Sequence, residues 1–348
     1  MSNVPVFDSG HGARLREGLR GLYDRRYDLF HRAFALGLPV TTAELDGLGP
    51  ALEACGLAQR KDDEWRCGYR IARMADDFLV TDPPAYSGRD RVLYLSDNES
   101  LLLARTLPRC DGLRVLDLGS GSGVQAVAAR RRGARSVTSI DISPRAVAMT
   151  RFNLALNGLP DDDVQLTGLT EHAPAEPYDV LINNPPFVPV PPDTAFMTSG
   201  AGGVDGLDFV RLLVRSLPRL VHDRSTVCLV SLSPGTRHLS ELETLLLDYA
   251  AGRPMRLRTR RVFDEPSPIA DSLAPFEGYA DLDRWAGELA DRGHTHLHNL
   301  LVTLEPAGRA SMSREALSPP VELHPGNLGS TDWAGLYAEI RLALTMAQ

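Results

Sequence analysis

Two stretches of the chain hold residue types and spacings that suit chemistry. In Val115-Leu116-Asp117-Leu118-Gly119-Ser120-Gly121-Ser122-Gly123, three glycines alternate directly behind an apolar run and ahead of a helical pattern. A strand followed by such a turn brings bare backbone to the carboxyl edge of a parallel sheet, where a ligand can approach closely. Asp141 lies eighteen residues beyond Gly123, at the end of the next apolar run. From there a carboxylate can accept both hydroxyls of a ribose, so the pair implies a nucleoside ligand. The second stretch is Asn184-Pro185-Pro186-Phe187, behind Tyr178-Asp179-Val180-Leu181-Ile182-Asn183. The Asn184 oxygen can accept an N–H, and the Pro185 carbonyl is a second acceptor fixed by the ring of Pro186. Two acceptors orient a nitrogen lone pair, and alignment alone lowers a barrier to in-line attack. Phe187 offers a flat face to a planar group or a cation.

These residues need a scaffold, and the hydrophobic pattern predicts one. From about residue 110, apolar runs at Arg114–Leu118, Ser136–Asp141, Val164–Thr167, Asp179–Asn183, Thr226–Leu232, Arg256–Phe263 and Leu297–Leu304 read as strands. Helical segments at Gln125–Arg132, Pro144–Asn157, Leu207–Leu217 and Leu239–Tyr249 alternate with them. The expected fold class is α/β: a Rossmann-like seven-stranded sheet with a smaller helical, winged-helix-like N-terminal unit. The expected units are 1–85, a lid or dimer contact; 86–310, the ligand-binding unit, with an insertion at about 264–293; and 311–348, a tail with a terminal helix over Trp333–Met346.

Composition narrows the partners. A net charge of -8 and balanced charge in the first eighty residues, eleven Lys and Arg against twelve Asp and Glu, give poor footing for nucleic acid. No apolar run reaches the ~20 residues that span a bilayer, and the start lacks the features of an export signal. A cytoplasmic location with no membrane partner is expected. Cys55, Cys67, Cys110 and Cys228 are scattered, which indicates neither disulfides nor a structural metal. His294, His296 and His298 alternate without a carboxylate pattern beside them and read as a strand face or pocket edge. Arg130-Arg131-Arg132 reads as solvated helix capping, and Asp82-Pro83-Pro84-Ala85-Tyr86 as an interdomain linker.

The glycine spacing is Gly-x-Gly-x-Gly, not Gly-x-Gly-x-x-Gly, with Asp117 two residues ahead. An acid there would repel a pyrophosphate and suit a cationic ligand. On these residues the chain resembles the class I S-adenosylmethionine (SAM)-dependent methyltransferases, and its tetrapeptide resembles the Asn-Pro-Pro-Phe/Tyr motif of N-methyltransferases. The resemblance covers roughly 90–235. It implies SAM as cofactor, held by Asp117, Gly119, Ser120, Gly121, Gly123, Asp141, Ile142, Gly168, Leu169, Asn98 and Asn184. It implies Asn184, Pro185, Phe187 and Tyr94 as the catalytic group, Tyr94 and Asn98 lying on a helix ahead of the glycine turn. The motif that usually offers Asp or Asn to adenine reads Thr167-Gly168-Leu169-Thr170 instead, so adenine must rely on backbone or neighbours. Thr198–Gly206 resembles a Gly-Gly-x-Asp-Gly stretch of related enzymes, a wall of the substrate pocket. The acceptor ranked first is a small molecule methylated on nitrogen, with a possible homodimer through the N-terminal unit. The alternatives are a glutamine or RNA N-methyltransferase, aminocarboxypropyl transfer or intramolecular SAM cyclisation with release of methylthioadenosine, and a non-catalytic SAM-binding regulator.

Overall fold

The computed structural model describes residues 4–6, 9–83, 86–92, 99–161, 163–190, 198–262, 265–269, 271 and 280–315. The sheet is the Rossmann-like α/β sheet expected, with strands β6 (Arg114–Leu118), β7 (Ser136–Asp141), β8 (Val164–Leu166), β9 (Tyr178–Asn183), β10 (Val221–Gly235), β11 (Met255–Arg261), β12 (Ser267–Pro268), β13 (His296–Pro306) and β14 (Ser311–Glu315). Their order is β14-β11-β13-β10-β9-β6-β7-β8, with β12 paired to β13. Pairing is parallel from β8 through β10, and β13 lies antiparallel between β10 and β11. The order reverses at β6, and that crevice at the carboxyl edge is where ligands bind in open α/β sheets.

Two expectations change. Among the described residues the sheet has nine strands rather than seven, because β12 and β14 join it. β14 runs parallel to β11, so residues 311–315 belong to the sheet and not to a tail. Arg314 from this strand donates to the buried Glu243 Oε1 at 2.9 Å, a partner invisible in a Ser-rich sequence. The terminal helix expected at 333–346 lies outside the described residues.

One face of the sheet is covered by α4 (Glu99–Thr106), α5 (Val124–Arg131) and α6 (Pro144–Leu156), the other by α7 (Asp208–Leu220) and α8 (Glu241–Ala250). Ser143 caps α6 by accepting from Ala146 N, ahead of Pro144 at its first position. Ser240 and Glu243 form a reciprocal capping box on α8. The insertion contributes α9 (Ala280–Asp291).

The N-terminal part contains α1 (Ser9–Arg25), α2 (Tyr27–Phe30) running into a π turn, β1 (Val40–Thr41), α3 (Gly49–Ala54), β2 (Ala58–Lys61) and β3 (Glu64–Cys67), with strand order β1-β3-β2. A hairpin, β4 (Arg70–Met74) and β5 (Asp77–Thr81), follows. Leu15, Leu19 and Leu22 form the buried stripe of α1. That stripe shares one core with Ala146, Met149, Phe152 and Leu156 of α6, so α6 is apolar on two faces. Between those faces Asn153 and Asn157 act as a surrogate strand. Asn153 accepts from Val80 N and donates to Val80 O, both at 2.8 Å, while Asn157 does the same for Phe78 at 3.0 and 2.7 Å. Residues four apart on a helix thus satisfy alternate residues of edge strand β5.

The arginine run is more than solvated capping. Arg131 forks onto Asp77, its Nη2 at 2.6 Å, and Arg132 donates to the Arg105 carbonyl at 2.6 Å. Asp82 is fully buried rather than a linker residue. It accepts from Val92 N at 2.9 Å and from Arg145 Nε at 2.8 Å, and the Arg145 guanidinium sits 4.3 Å from the Tyr86 ring centre.

Candidate active site

The glycine turn and the tetrapeptide meet at one edge. Leu118 pairs with Asn183 across β6 and β9, and Asn183 Nδ2 donates to Leu118 O at 2.8 Å. Gly119 and Asn184 therefore start from adjacent strand ends. Gly119, Gly121 and Gly123 all have positive φ, and a Cβ on Gly123 would lie 2.9 Å from Thr150 Cγ2. Only glycine permits that close packing on α6. Ser120 Oγ and Thr150 Oγ1 are 2.9 Å apart, Thr150 donates to Gly121 O at 3.1 Å, and Asn153 donates to Ser122 O at 2.8 Å. The turn is thus braced by α6, and through Asn153 by β5.

Asp141 accepts Gly121 N at 3.0 Å and Ser143 N at 2.8 Å, one on each oxygen. Each oxygen keeps a lone pair for a ligand hydroxyl. Burial holds its carboxyl above the ordinary carboxylate value, against the pull of the Ser143, Gly121 and Ile142 N–H groups. Ile142 follows, 64% exposed, a largely uncovered apolar surface. Thr167 N donates to Asp141 O at 3.0 Å, which sets Gly168 beside Ile142; a Cβ at Gly168 would come within 3.4 Å of Ile142 Cγ2. Leu169 is buried in the core under this corner.

Asp117 is not on the crevice surface. It is 1% exposed beneath the turn, where its Oδ2 accepts Ala126 N at 3.1 Å in the first turn of α5. Its acid suits the helix N-terminus. Burial, with the charge of Asp141 as a lesser contributor, pushes its carboxyl up to about 7.

Asn184 Nδ2 donates to Ser100 Oγ at 2.8 Å, from the first turn of α4, while its Oδ1 is buried with no protein partner. Asn183 Oδ1, Asp117 Oδ1, Gln125 Oε1 and Asn299 Oδ1 are likewise buried and unpartnered. All five are acceptors, and unmet buried acceptors are costly. Asn184 Oδ1, next to the glycine turn, fits a group that brings an N–H to that edge.

Phe187 is half-buried. It packs against a small cluster of Val204, Leu232, Ile269, Trp285, Leu289 and Leu297, which ties the insertion to the tetrapeptide. The segment after Phe187 is zipped to the glycine-rich loop by Val188 N to Gly200 O at 2.8 Å, Gly202 N to Val188 O at 2.9 Å and Val190 N to Gly203 O at 2.9 Å. Trp285 Nε1 donates to Val204 O at 2.6 Å, so α9 holds that loop from outside. Burial would raise the Asp205 carboxyl, but Arg211, at 2.6 and 2.9 Å, and the Leu207 N–H bring it below the ordinary value.

Tyr94 and Asn98 lie outside the described residues. Sequence reasoning missed Ser100, Gln125, Asn153 and Asn299; the first was within sight as the hydroxyl heading Leu101-Leu102-Leu103, while the others carry no local signal. His298 is buried with Nε2 2.7 Å from Thr236 O, and burial lowers its ring below the usual value. Among the described residues no group of three or more His, Cys, Asp or Glu could hold a metal. No described helix is long and apolar enough to cross a membrane.

Part of the chain is similar in sequence to known proteins. Residues 75–195 match the family model for the methyltransferase small domain. A release factor glutamine methyltransferase of Rhodospirillum rubrum is 37% identical over 147 residues, 38% of this chain and 45% of that protein. A ribosomal protein L11 methyltransferase of Porphyromonas gingivalis is 44% identical over 73 residues, 21% of this chain and 25% of that protein. The chain thus spans less than half the length of these relatives. A solved ribosomal protein L11 methylase from Lactobacillus delbrueckii subsp. bulgaricus superposes with a TM-score of 0.35 at 18% identity, covering 60% of this chain and 76% of that one. Residues 75–195, which hold the glycine turn, Asp141 and the Asn-Pro-Pro-Phe run, are thus similar to the methyltransferase small domain, which supports S-adenosylmethionine as the cofactor.

Proposed function

We propose that the chain transfers a methyl group from SAM to a planar nitrogen, with the carboxamide of a protein glutamine side chain as the acceptor ranked first. When bound, SAM supplies an electrophilic methyl carbon. Asp141 accepts the ribose hydroxyls, and Ile142 with the Gly168 backbone flanks the base. The turn at Gly119–Gly123 leaves backbone open to the ligand. Asn184 Oδ1 accepts one acceptor N–H and the Pro185 carbonyl a second, which points the nitrogen lone pair into the crevice. Phe187, backed by the Trp285 cluster, walls the acceptor side. The observation that carries this reading is the buried, unpartnered Asn184 Oδ1 beside the glycine turn.

A small-molecule acceptor was the first expectation. It gives way to a protein side chain because the relatives are named for release factor glutamine and ribosomal protein L11. The test pairs Asp141→Ala with Asn184→Ala, using calorimetry with S-adenosylhomocysteine and mass spectrometry on glutamine-containing peptides incubated with SAM. Asp141→Ala should weaken nucleoside binding about a hundredfold, since two hydrogen bonds to a charged group are lost. Asn184→Ala should bind it as the parent does and lose methylation. Equal loss of binding in both, or methylthioadenosine released from SAM alone, would overturn the reading.

A further inference from the structure

Three side-chain amides converge on the first turn of α4. Asn184 Nδ2 donates to Ser100 Oγ at 2.8 Å, Gln125 Nε2 to Ser100 O at 2.9 Å, and Asn299 Nδ2 to Glu99 Oε1 at 2.8 Å. The amides come from the end of β9, the start of α5 and the antiparallel strand β13, and Asn299 is 200 residues from its partner. Carbonyl and carboxylate oxygens only accept, so Gln125 and Asn299 must turn their nitrogens toward α4. Their oxygens therefore face away from it, and both are buried without a partner.

Strand register places Asn299. It sits opposite Leu232 of β10, and along the same face of β13 its neighbours are Leu297 and Leu301. Leu232 and Leu297 belong to the Phe187 cluster, whereas Leu301 belongs to the core under α4 and α5. Asn299 is thus a buried polar side chain on that face, between the core and the Phe187 cluster. At 4% exposure, its open oxygen is unmet by solvent as well as by protein.

We propose that Asn299 is a further acceptor-binding residue: its Oδ1 takes an N–H of the incoming group, and Glu99 is the positioning residue that locks the amide in that orientation. The inference rests on the N-methyltransferase reading and extends it to β13. It makes the acceptor site select groups rich in N–H donors, because an oxygen-only acceptor would leave Asn299 unmet.

The test uses the full chain saturated with S-adenosylhomocysteine and N-acetylglutaminamide as the probe, followed by ligand-observed NMR. Asn299→Leu keeps the volume and removes the acceptor, and should weaken probe binding about fivefold or more with nucleoside affinity unchanged. Glu99→Gln releases the lock, because glutamine can donate as well as accept, and should weaken the probe less than Asn299→Leu. In peptide methylation both variants should raise KM more than they lower kcat, a split that loss of packing alone would not produce. Probe affinity at the parental value in Asn299→Leu, with Asn184→Ala still impaired, would overturn the role of Asn299 alone. Absence of probe binding in the parent would overturn both this inference and the reading beneath it. Should Asn299→Leu fail to fold, Glu99→Gln decides: unchanged probe affinity there overturns the proposal.

Discussion

Replacing Asp117 with asparagine should change how stability depends on pH, and the size of the change follows from its surroundings. The carboxyl lies beneath the glycine turn, and burial pushes it from 3.8 up to about 7. A folded-state value above the unfolded one means that the native protein binds the proton more tightly. The stabilising contribution is fully present below about pH 3.8 and is lost as pH rises through about 7. At about 1.4 kcal/mol for each pH unit, the whole loss is roughly 4 kcal/mol, of which about 2 to 3 kcal/mol falls between pH 5 and 8. Asparagine can still accept Ala126 N but has no charge to bury. Urea unfolding of the parent and Asp117→Asn at pH 5, 6, 7 and 8 isolates the effect, since other titrating groups cancel in the difference. The variant should gain on the parent by those 2 to 3 kcal/mol as pH rises. A difference constant to within about 1 kcal/mol across that range would refute the account of Asp117 as a carboxyl held proton-hungry by burial.

Two other substitutions probe how the site is held. Gly206 has φ +78°, and a Cβ there would lie 2.3 Å from the Phe187 carbonyl oxygen. Gly206→Ala should therefore cost about 2 kcal/mol or more and abolish transfer while calorimetry still finds parental nucleoside affinity, because strain lands on the tetrapeptide side. Asn153→Leu removes three buried hydrogen bonds, two to Val80 and one to Ser122. It should lower unfolding free energy by about 2 to 4 kcal/mol and also weaken nucleoside binding, since one of the three braces the turn; denaturation paired with calorimetry checks both.

The sheet was readable because parallel strands buried on both faces leave continuous apolar runs. Ser136–Asp141 and Arg114–Leu118 match in structure the limits their patterns predict. The same logic missed β14, a short strand of Ser311-Met312-Ser313-Arg314-Glu315 that no apolar pattern marks and that pairing with β11 alone creates. The π turn at His31–Ala35 and the early start of β10 at Val221 also escaped, since a boundary is set by neighbours as much as by its own residues.

The glycine turn, Asp141 and the Asn-Pro-Pro-Phe run were visible in order because each serves a local need: a bare backbone, an acid at a strand end, a fixed carbonyl. What the linear pattern supplied was an expectation of the ligand class and of the sheet edge that would meet it. Tertiary structure alone decided which polar groups find protein partners and which keep an open acceptor. It buried Asp117 under α5, set Phe187 against the insertion, and turned Asn184, Gln125 and Asn299 by contacts with Glu99 and Ser100. The physical reason is that a side-chain amide is donor and acceptor at once. Its sequence position says nothing about which end points outward, and only a partner brought from as far as 200 residues away fixes that choice.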